Sequence, residues 1–352
     1  LHLDRCLTCR ACETACPAGV EYGELAEIGR DFLEQRLGRS GLAKLKRRWL
    51  TRVVPKRERM RSWLRLASWV RWLLPHSVRA MVARRRGGRS LQPARSLQPA
   101  RSFQRDKELA VADSADVRSG SADVSVLLLR GCVQDVVTPE VNDHLVKLLA
   151  QRGIAVRFAD DEACCGGLAL HLGHTDEALE SMRSNVEALD WDSVEHVVST
   201  ASGCGVTLKD YGRLLQDDPD FRGRGEGFAN KVVDVAELLS GFTFRKRDEY
   251  RRVAWHAPCT LQHGQKITGR VEAILEAAGY ELVPVRNSHL CCGSAGTYSI
   301  LQPELAGELK RRKIDDLTGG QPDVIATANV GCQMHLKGGS NVDVVHWIEL
   351  LR

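Results

Sequence analysis

The sequence predicts an α+β protein in which an α-helical N-terminal segment precedes two duplicated α/β units with short parallel sheets. Three observations predict it. The twelve cysteines fall into three sets of four, at positions 6, 9, 12 and 16, then 132, 164, 165 and 204, then 259, 291, 292 and 332. From residue 123 onward, apolar runs alternate with helical stretches, the pattern of parallel strands joined by crossover helices. The third set repeats the second at shifts of 127, 127, 127 and 128 residues, so the α/β region is an internal duplication. At 352 residues and 43% hydrophobic composition the chain is long enough for two or three domains with their own cores, which excludes disorder for most of it.

The first segment, 1–38, holds the first cysteine set and then a helical pattern through Tyr22, Leu25, Ile28, Phe32 and Leu33. Segment 39–89 reads as basic helices broken at Pro55 and Pro75, where the missing N–H and the ring clash stop a helix. It carries seventeen Lys or Arg against the single acid Glu58, a charge of +16 in a chain whose total is +5, which leaves −11 on the remainder. The arm and the remainder therefore face different partners. From Arg89 to Gln104 the sequence runs RSLQPARSLQPARSFQ, a tandem unit rich in Arg, Ser and Pro with nothing to bury, and segment 90–122 reads as a linker.

Within 123–245 the expected order is strand 124–129 leading to Cys132, helix 141–151, strand 154–158 leading to Cys164 and Cys165, helix 176–189, and strand 194–199 leading to Cys204. Within 246–352 the order returns, with strands 253–255, 282–285 and 324–327 leading to Cys259, to Cys291 and Cys292, and to Cys332. The phrase VVDVAELL at 232–239 also recurs as VVHWIELL at 344–351.

Three sets of four cysteines with none left over is metal-site arithmetic, and a chain this long argues against a disulfide framework, whose density belongs mainly to small secreted domains. The first set reads C-x2-C-x2-C-x3-C-P from Cys6 to Pro17, the bacterial ferredoxin run; zinc sites use paired C-x2-C units with longer separations and histidine partners. In such runs the fourth cysteine ligates another cluster, so Cys6, Cys9 and Cys12 lack a fourth ligand and Cys16 lacks its companions. A second motif is expected upstream of Leu1. The other sets follow C-x31-CCG with a cysteine 39 or 40 residues beyond the pair, and every cysteine follows an expected parallel strand, where ligand sites form. Cys132, Cys164, Cys165 and Cys204, and likewise Cys259, Cys291, Cys292 and Cys332, are thus candidate ligands. An additional iron–sulfur cluster is favoured there over zinc. Histidines 256, 263, 289 and 335 lie near the second set, where a hydrogen-bonding or packing role is favoured over ligation.

The phrases LDRCLTCRACETACPAGVEYG, SGCGVTLKDYG, HAPCTLQHGQ and ANVGCQMHL, with the CCG spacing, resemble the iron–sulfur subunits of glycolate oxidase, a family related to lactate-utilisation iron–sulfur proteins and to the CCG-containing chain of heterodisulfide reductase. The resemblance covers nearly the whole chain apart from the tandem repeat. It implies two ferredoxin-type [4Fe-4S] clusters in the full-length protein, with Cys6, Cys9, Cys12 and Cys16 as ligands, and FAD-binding dehydrogenase subunits that oxidise glycolate to glyoxylate. The chain itself carries no G-x-G-x-x-G opening a helix after a strand and no P-loop. The expected function is electron transfer from the flavoprotein to a quinone-type acceptor, with no catalysis by this chain alone; a lactate dehydrogenase-type subunit is an alternative. Heterodisulfide reduction uses a further cysteine in each repeat, and Ala201 and Asn329 stand in those places.

No stretch approaches the roughly 18 apolar residues of a membrane span. The expected location is cytoplasmic. The arm 39–89, with Trp49, Trp63, Trp69 and Trp72 among its arginines, reads either as an interfacial helix on anionic lipid at the inner face of the membrane or as a subunit-facing arm; nucleic acid is not the expected partner.

Overall fold

The computed structural model describes residues 2–36, 41–69 and 124–352. The linker 90–122 with its tandem repeat, Trp72 and Pro75 lie outside them.

Each repeat forms a four-stranded parallel sheet. In the first, β1 (Ser125–Leu129), β2 (Ala155–Phe158), β3 (His196–Ser199) and β4 (Val232–Asp234) are ordered β2-β1-β3-β4. In the second, β5 (Arg252–His256), β6 (Glu281–Leu282), β7 (Val324–Thr327) and β8 (Asp343–His346) are ordered β6-β5-β7-β8. The chain reverses its direction across the sheet between β1 and β3, and again between β5 and β7. Such a switch point opens a crevice at the carboxyl ends of the strands.

The expected strands hold, with one displacement. The strand read at 282–285 pairs in register through Glu281 and Leu282 and ends where the Val283 amide donates to Val253 O at 2.9 Å, because Pro284 has no N–H to continue the ladder. The recurring phrase is a structural unit: β4 and β8 each run straight into a helical turn. Asp234 accepts from the amide of Ala236 while Glu237 accepts from that of Asp234, and His346 with Glu349 makes the same reciprocal cap.

Side chains alternate across each strand, so each sheet feeds two cores. Val126 and Leu128 of β1, Val253 and Trp255 of β5, and Val324 and Ala326 of β7 enter one core that both repeats share. Helices Pro139–Ala150 and Arg270–Ala277 fill it, through Leu145, Leu149, Ile274 and Leu275. Leu127 and Leu129 face a core of the first repeat alone, and Ala254 and Ile325 one of the second. Hydrogen bonds cross the seam: the Ser202 amide donates to Ala328 O at 3.1 Å, and the rings of His346 and His144 meet Thr200 O and Leu351 O, each at 2.9 Å.

The N-terminal segment lies against both repeats. Its helix Tyr22–Arg36 forms as expected, but its apolar stripe is turned outward: Tyr22, Leu25, Ile28 and Phe32 are exposed, whereas Gly23, Ala26, Glu27 and Arg30 are buried. Ion pairing and hydrogen bonding decide the orientation. Arg30, 5% exposed, donates to Thr8 Oγ1 at 2.7 Å, Cys6 O at 2.7 Å and Leu3 O at 3.1 Å, which ties the first cysteine loop to the helix. Arg10 pairs with Asp210 at 2.6 Å and Arg213 with Glu27 at 3.2 Å, joining the segment to the first repeat. Helices Gly41–Val53 and Arg57–Trp69 meet through Trp49 and Trp63, with ring centroids 4.6 Å apart. Arg57 reaches Glu162 at 2.7 Å and Arg61 reaches Asp135 at 2.6 Å, so part of the arm's charge is used within the chain.

Candidate metal centres

The strand order delivers the cysteines of each repeat to one edge. Cys132 follows β1, Cys164 and Cys165 follow β2, and Cys204 sits in helix Ser202–Lys209 after β3. The sulfurs of Cys132 and Cys164 are 3.5 Å apart, and Cys165 stands in hydrogen-bonding reach of Cys164 and Cys204. The thiols are buried or half-buried. Hydrogen bonding to Cys164, then burial, pushes Cys132 well above the ordinary thiol value; Cys164, which receives hydrogen bonds from Cys132 and Cys165 and from the Gly166 amide, is pulled well below it. Thiols crowded this closely, with the negative charge drawn to one sulfur, could bind a cation that displaces the remaining protons.

The second repeat builds the same set from Cys259, Cys291, Cys292 and Cys332, all buried, with Cys259 and Cys291 3.7 Å apart. Hydrogen bonding to Cys291 and then burial push Cys259 well above its ordinary range. Here the neighbours differ. A ring nitrogen of His256 and the sulfurs of Cys292 and Cys332 lie within 4.8 Å of one another. His263 is engaged at both nitrogens, by Thr14 Oγ1 and by His289 O, each at 3.0 Å, and His335 Nε2 meets Ala306 O at 3.2 Å. The structure thus separates histidines that the sequence left alike. Position-by-position comparison of the repeats would have singled out His256, because Leu129 occupies its place in the first.

The glycine of each CCG triplet has a backbone reason. Gly166 and Gly293 have φ of +85° and +88°, and a Cβ at Gly293 would lie 2.8 Å from Ala306 O and 2.9 Å from Leu309 Cβ. The turn after the paired cysteines packs directly on the following helix and leaves no room for a side chain. At the places of the further cysteines, Ala201 is buried, and Asn329 Oδ1 accepts from the Gly331 amide at 2.8 Å to cap helix Val330–Lys337. Neither repeat can present a fifth thiol there.

In the first set, Thr8 and Arg10 adopt left-handed conformations, φ +54° and +57°, which curl the loop, and the Thr8 amide donates to Cys6 Sγ at 3.4 Å. Burial raises the Cys9 pKa, and Cys259, Cys6 and Cys12 stand close enough to raise it further. Cys16 has other surroundings: the amides of Val20 and Ala18, and then the Tyr22 hydroxyl, hold its thiol below the ordinary value. Helix Ala11–Ala15 packs on the turn Thr260–Gly264 that follows Cys259, so the first set rests on the third. The curled loop, its amide donor and the clustered sulfurs suit an iron–sulfur cluster.

The family model for the cysteine-rich CCG domain matches residues 126–209 and 253–337, one in each repeat. The chain is 37% identical to the glycolate oxidase iron–sulfur subunit of Escherichia coli over 99% of its own length and 81% of the relative. It is 29% identical to a probable glycolate oxidase iron–sulfur subunit of Bacillus subtilis over 99% of its length, and 29% identical to lactate utilization protein A of an Exiguobacterium strain over 64%.

Replacing Gly293 with Ala should lower the stability of the metal-free reduced chain by more than about 1 kcal/mol, because left-handed strain and a backbone clash add. Gly296→Ala, at φ +60° with nothing within 4 Å of a built Cβ, should cost less. Urea unfolding of both variants is the measurement; equal losses would mean that the close approach at Gly293 is unimportant.

Proposed function

We propose, because the chain belongs to the family of glycolate oxidase iron–sulfur subunits, that it is the electron-transfer subunit of a flavin-linked 2-hydroxyacid dehydrogenase of the glycolate-oxidising kind. FAD-binding partner subunits take hydride from the substrate, and a quinone-type acceptor receives the electrons. Clusters held by this chain supply one-electron redox chemistry. The observation that carries the reading is the geometry of the ferredoxin run. Cys6, Cys9 and Cys12 gather on a loop curled by Thr8 and Arg10, while Cys16 is turned to its own cradle of amides.

The chain's residues have three tasks in this reading. Cys6, Cys9, Cys12 and Cys16 supply thiolates for two clusters, Cys16 to a different one from the other three. The amides of Thr8 at Cys6, and of Ala18 and Val20 at Cys16, donate to sulfur and stabilise its negative charge. Arg30 donates to the Cys6 carbonyl and the Thr8 hydroxyl and so holds the loop, and the ion pairs of Arg10 and Arg213 fasten the segment to the first repeat. The thiol sets of the two repeats hold further metal. A thiol reductase role is disfavoured, because positions 201 and 329 carry no sulfur.

Substrate chemistry and electron delivery should separate. In the assembled complex, Cys9→Ser should abolish delivery of electrons to quinone or dye while substrate still bleaches the partner's flavin under anaerobic conditions. Loss of bleaching in a complex that remains assembled would require this chain to take part in substrate oxidation.

The arm 39–89 is proposed to rest on the membrane surface near the quinone. Among the described residues no helix is long and apolar enough to cross a membrane. Leu42, Leu45, Leu66 and Trp69 are exposed amid the arginines, and each basic residue near anionic lipid contributes about 1 kcal/mol. The chain should cosediment with phosphatidylserine vesicles and be released by salt; equal binding to neutral vesicles, or none to either, would dismiss the proposal.

A further inference from the structure

We propose that Lys313 sets the reduction potential of the metal centre in the second repeat: its buried ammonium stabilises the reduced state there, a bias the first repeat lacks because a neutral asparagine takes the same place. The proposal rests on the electron-transfer reading, with redox-active metal on the thiol sets of the repeats.

Lys313 lies in helix Pro303–Thr318 and is 2% exposed. Burying an ammonium costs free energy, so a lysine in such a position needs negative charge close by. Its Nζ donates to Asn287 O at 2.7 Å, in the segment that leads to Cys291 and Cys292. Burial lowers its pKa, while charge on Cys292, on Asp316, and on Cys291 and Cys259 raises it. Asp316 is already engaged by Arg286 at 3.6 Å and by the Asn287 side-chain amide at 3.1 Å, which leaves the sulfurs as the ammonium's partners in charge.

The corresponding place in the first repeat is neutral. A Cβ on the glycine of either CCG triplet would meet a helix carbonyl, that of Ala178 or that of Ala306, so the two helices correspond at a shift of 128 residues and Asn185 stands for Lys313. Asn185 is 1% exposed; its Nδ2 donates to Cys164 O at 3.1 Å and its Oδ1 accepts from the Ala163 amide at 2.9 Å. Both residues brace the chain that carries the paired cysteines. Only Lys313 brings a charge. Arg57, a cation that reaches the first crevice, is paired there with Glu162 at 2.7 Å.

Reduction adds one negative charge to a metal centre, and a fixed positive charge in a low-dielectric surround stabilises the reduced form more than the oxidised one. Placement gives this bias a use. Cys259 stands close enough to Cys9 for its charge to act there, and helix Ala11–Ala15 packs on the turn after Cys259. An electron leaving the ferredoxin loop thus has the second repeat's centre beside it, and Lys313 makes that centre the better acceptor; one centre loses the electron and the other gains it.

The test is a potentiometric titration of the full-length protein, purified without oxygen and followed by electron paramagnetic resonance. In Lys313→Asn, which installs the side chain of the first repeat, one signal other than that perturbed by Cys9→Ser should fall in potential by about 59 mV or more, a tenfold change in the one-electron equilibrium, while the remaining signals hold theirs. Lys313→Gln, which keeps a donor for Asn287 O but no charge, should fall as far. Lys313→Arg, which keeps the charge, should stay near the wild type. A Lys313→Gln variant at the wild-type potential, a Lys313→Arg variant that falls with it, or a wild type with no reducible centre beyond the two ferredoxin-type clusters would overturn the proposal. Failure of substrate to reduce the ferredoxin-type clusters through the flavoprotein partner would instead overturn the electron-transfer reading.

Discussion

The structure depends on one constraint: a parallel sheet must return its chain by crossovers, and those crossovers send the carboxyl ends of consecutive strands to the same edge. With β1 between β2 and β3, the loops after all three strands open toward one crevice. Thiols placed just beyond three separate strands, up to 72 residues apart in sequence between Cys132 and Cys204, therefore meet. The tight glycine turn at Gly166 and its twin at Gly293 let the paired cysteines face inward while the next helix packs behind them. Duplication doubled the device, and the core shared through β1, β5 and β7 locked the two copies together.

Most of this was legible because it rests on periodicity and spacing. Strands rich in Val, Leu and Ile with cysteines at their ends, and a repeat at a constant shift, are local signals. What escaped is set by contacts distant in sequence. The exposed stripe of Tyr22, Leu25, Ile28 and Phe32 looks like a core face, and only the bonds of Arg30 to the Cys6 loop and of Glu27 to Arg213 show why the polar face is the buried one. The strands β4 and β8 were visible as a repeated phrase but not as strands, since three or four residues running into a capped turn carry little alternation. Helix Arg222–Lys231 contains three glycines, which penalise a helix in isolation; packing of Phe228 against Tyr211 and Trp191 overrides them. His256 could not be told from its neighbours until their hydrogen bonds were known.

The repeats have not stayed equivalent. The crevice of the first is approached by the basic arm, where Arg57 reaches a Glu162 carboxylate that also accepts the amides of Arg130 and Gly131 beside Cys132. The crevice of the second supports the ferredoxin run: helix Ala11–Ala15 packs on the turn after Cys259, and Thr14 reaches His263. A metal fixed beneath Cys9 would stiffen the seat of the first cysteine set, just as the ion pairs of Arg10 and Arg213 fasten its other side to the first repeat.

The central claim is that thiols gathered by this topology and by the curled N-terminal loop hold iron together with inorganic sulfide. The most direct measurement is the acid-labile sulfide content and Mössbauer spectrum of the anaerobically purified full-length protein, grown on isotopically enriched iron. Cluster ligation predicts sulfide in proportion to iron and the valence-delocalised iron pairs of [4Fe-4S] centres. Metal present without sulfide, as isolated ions on thiolates in all three cysteine sets, would contradict it.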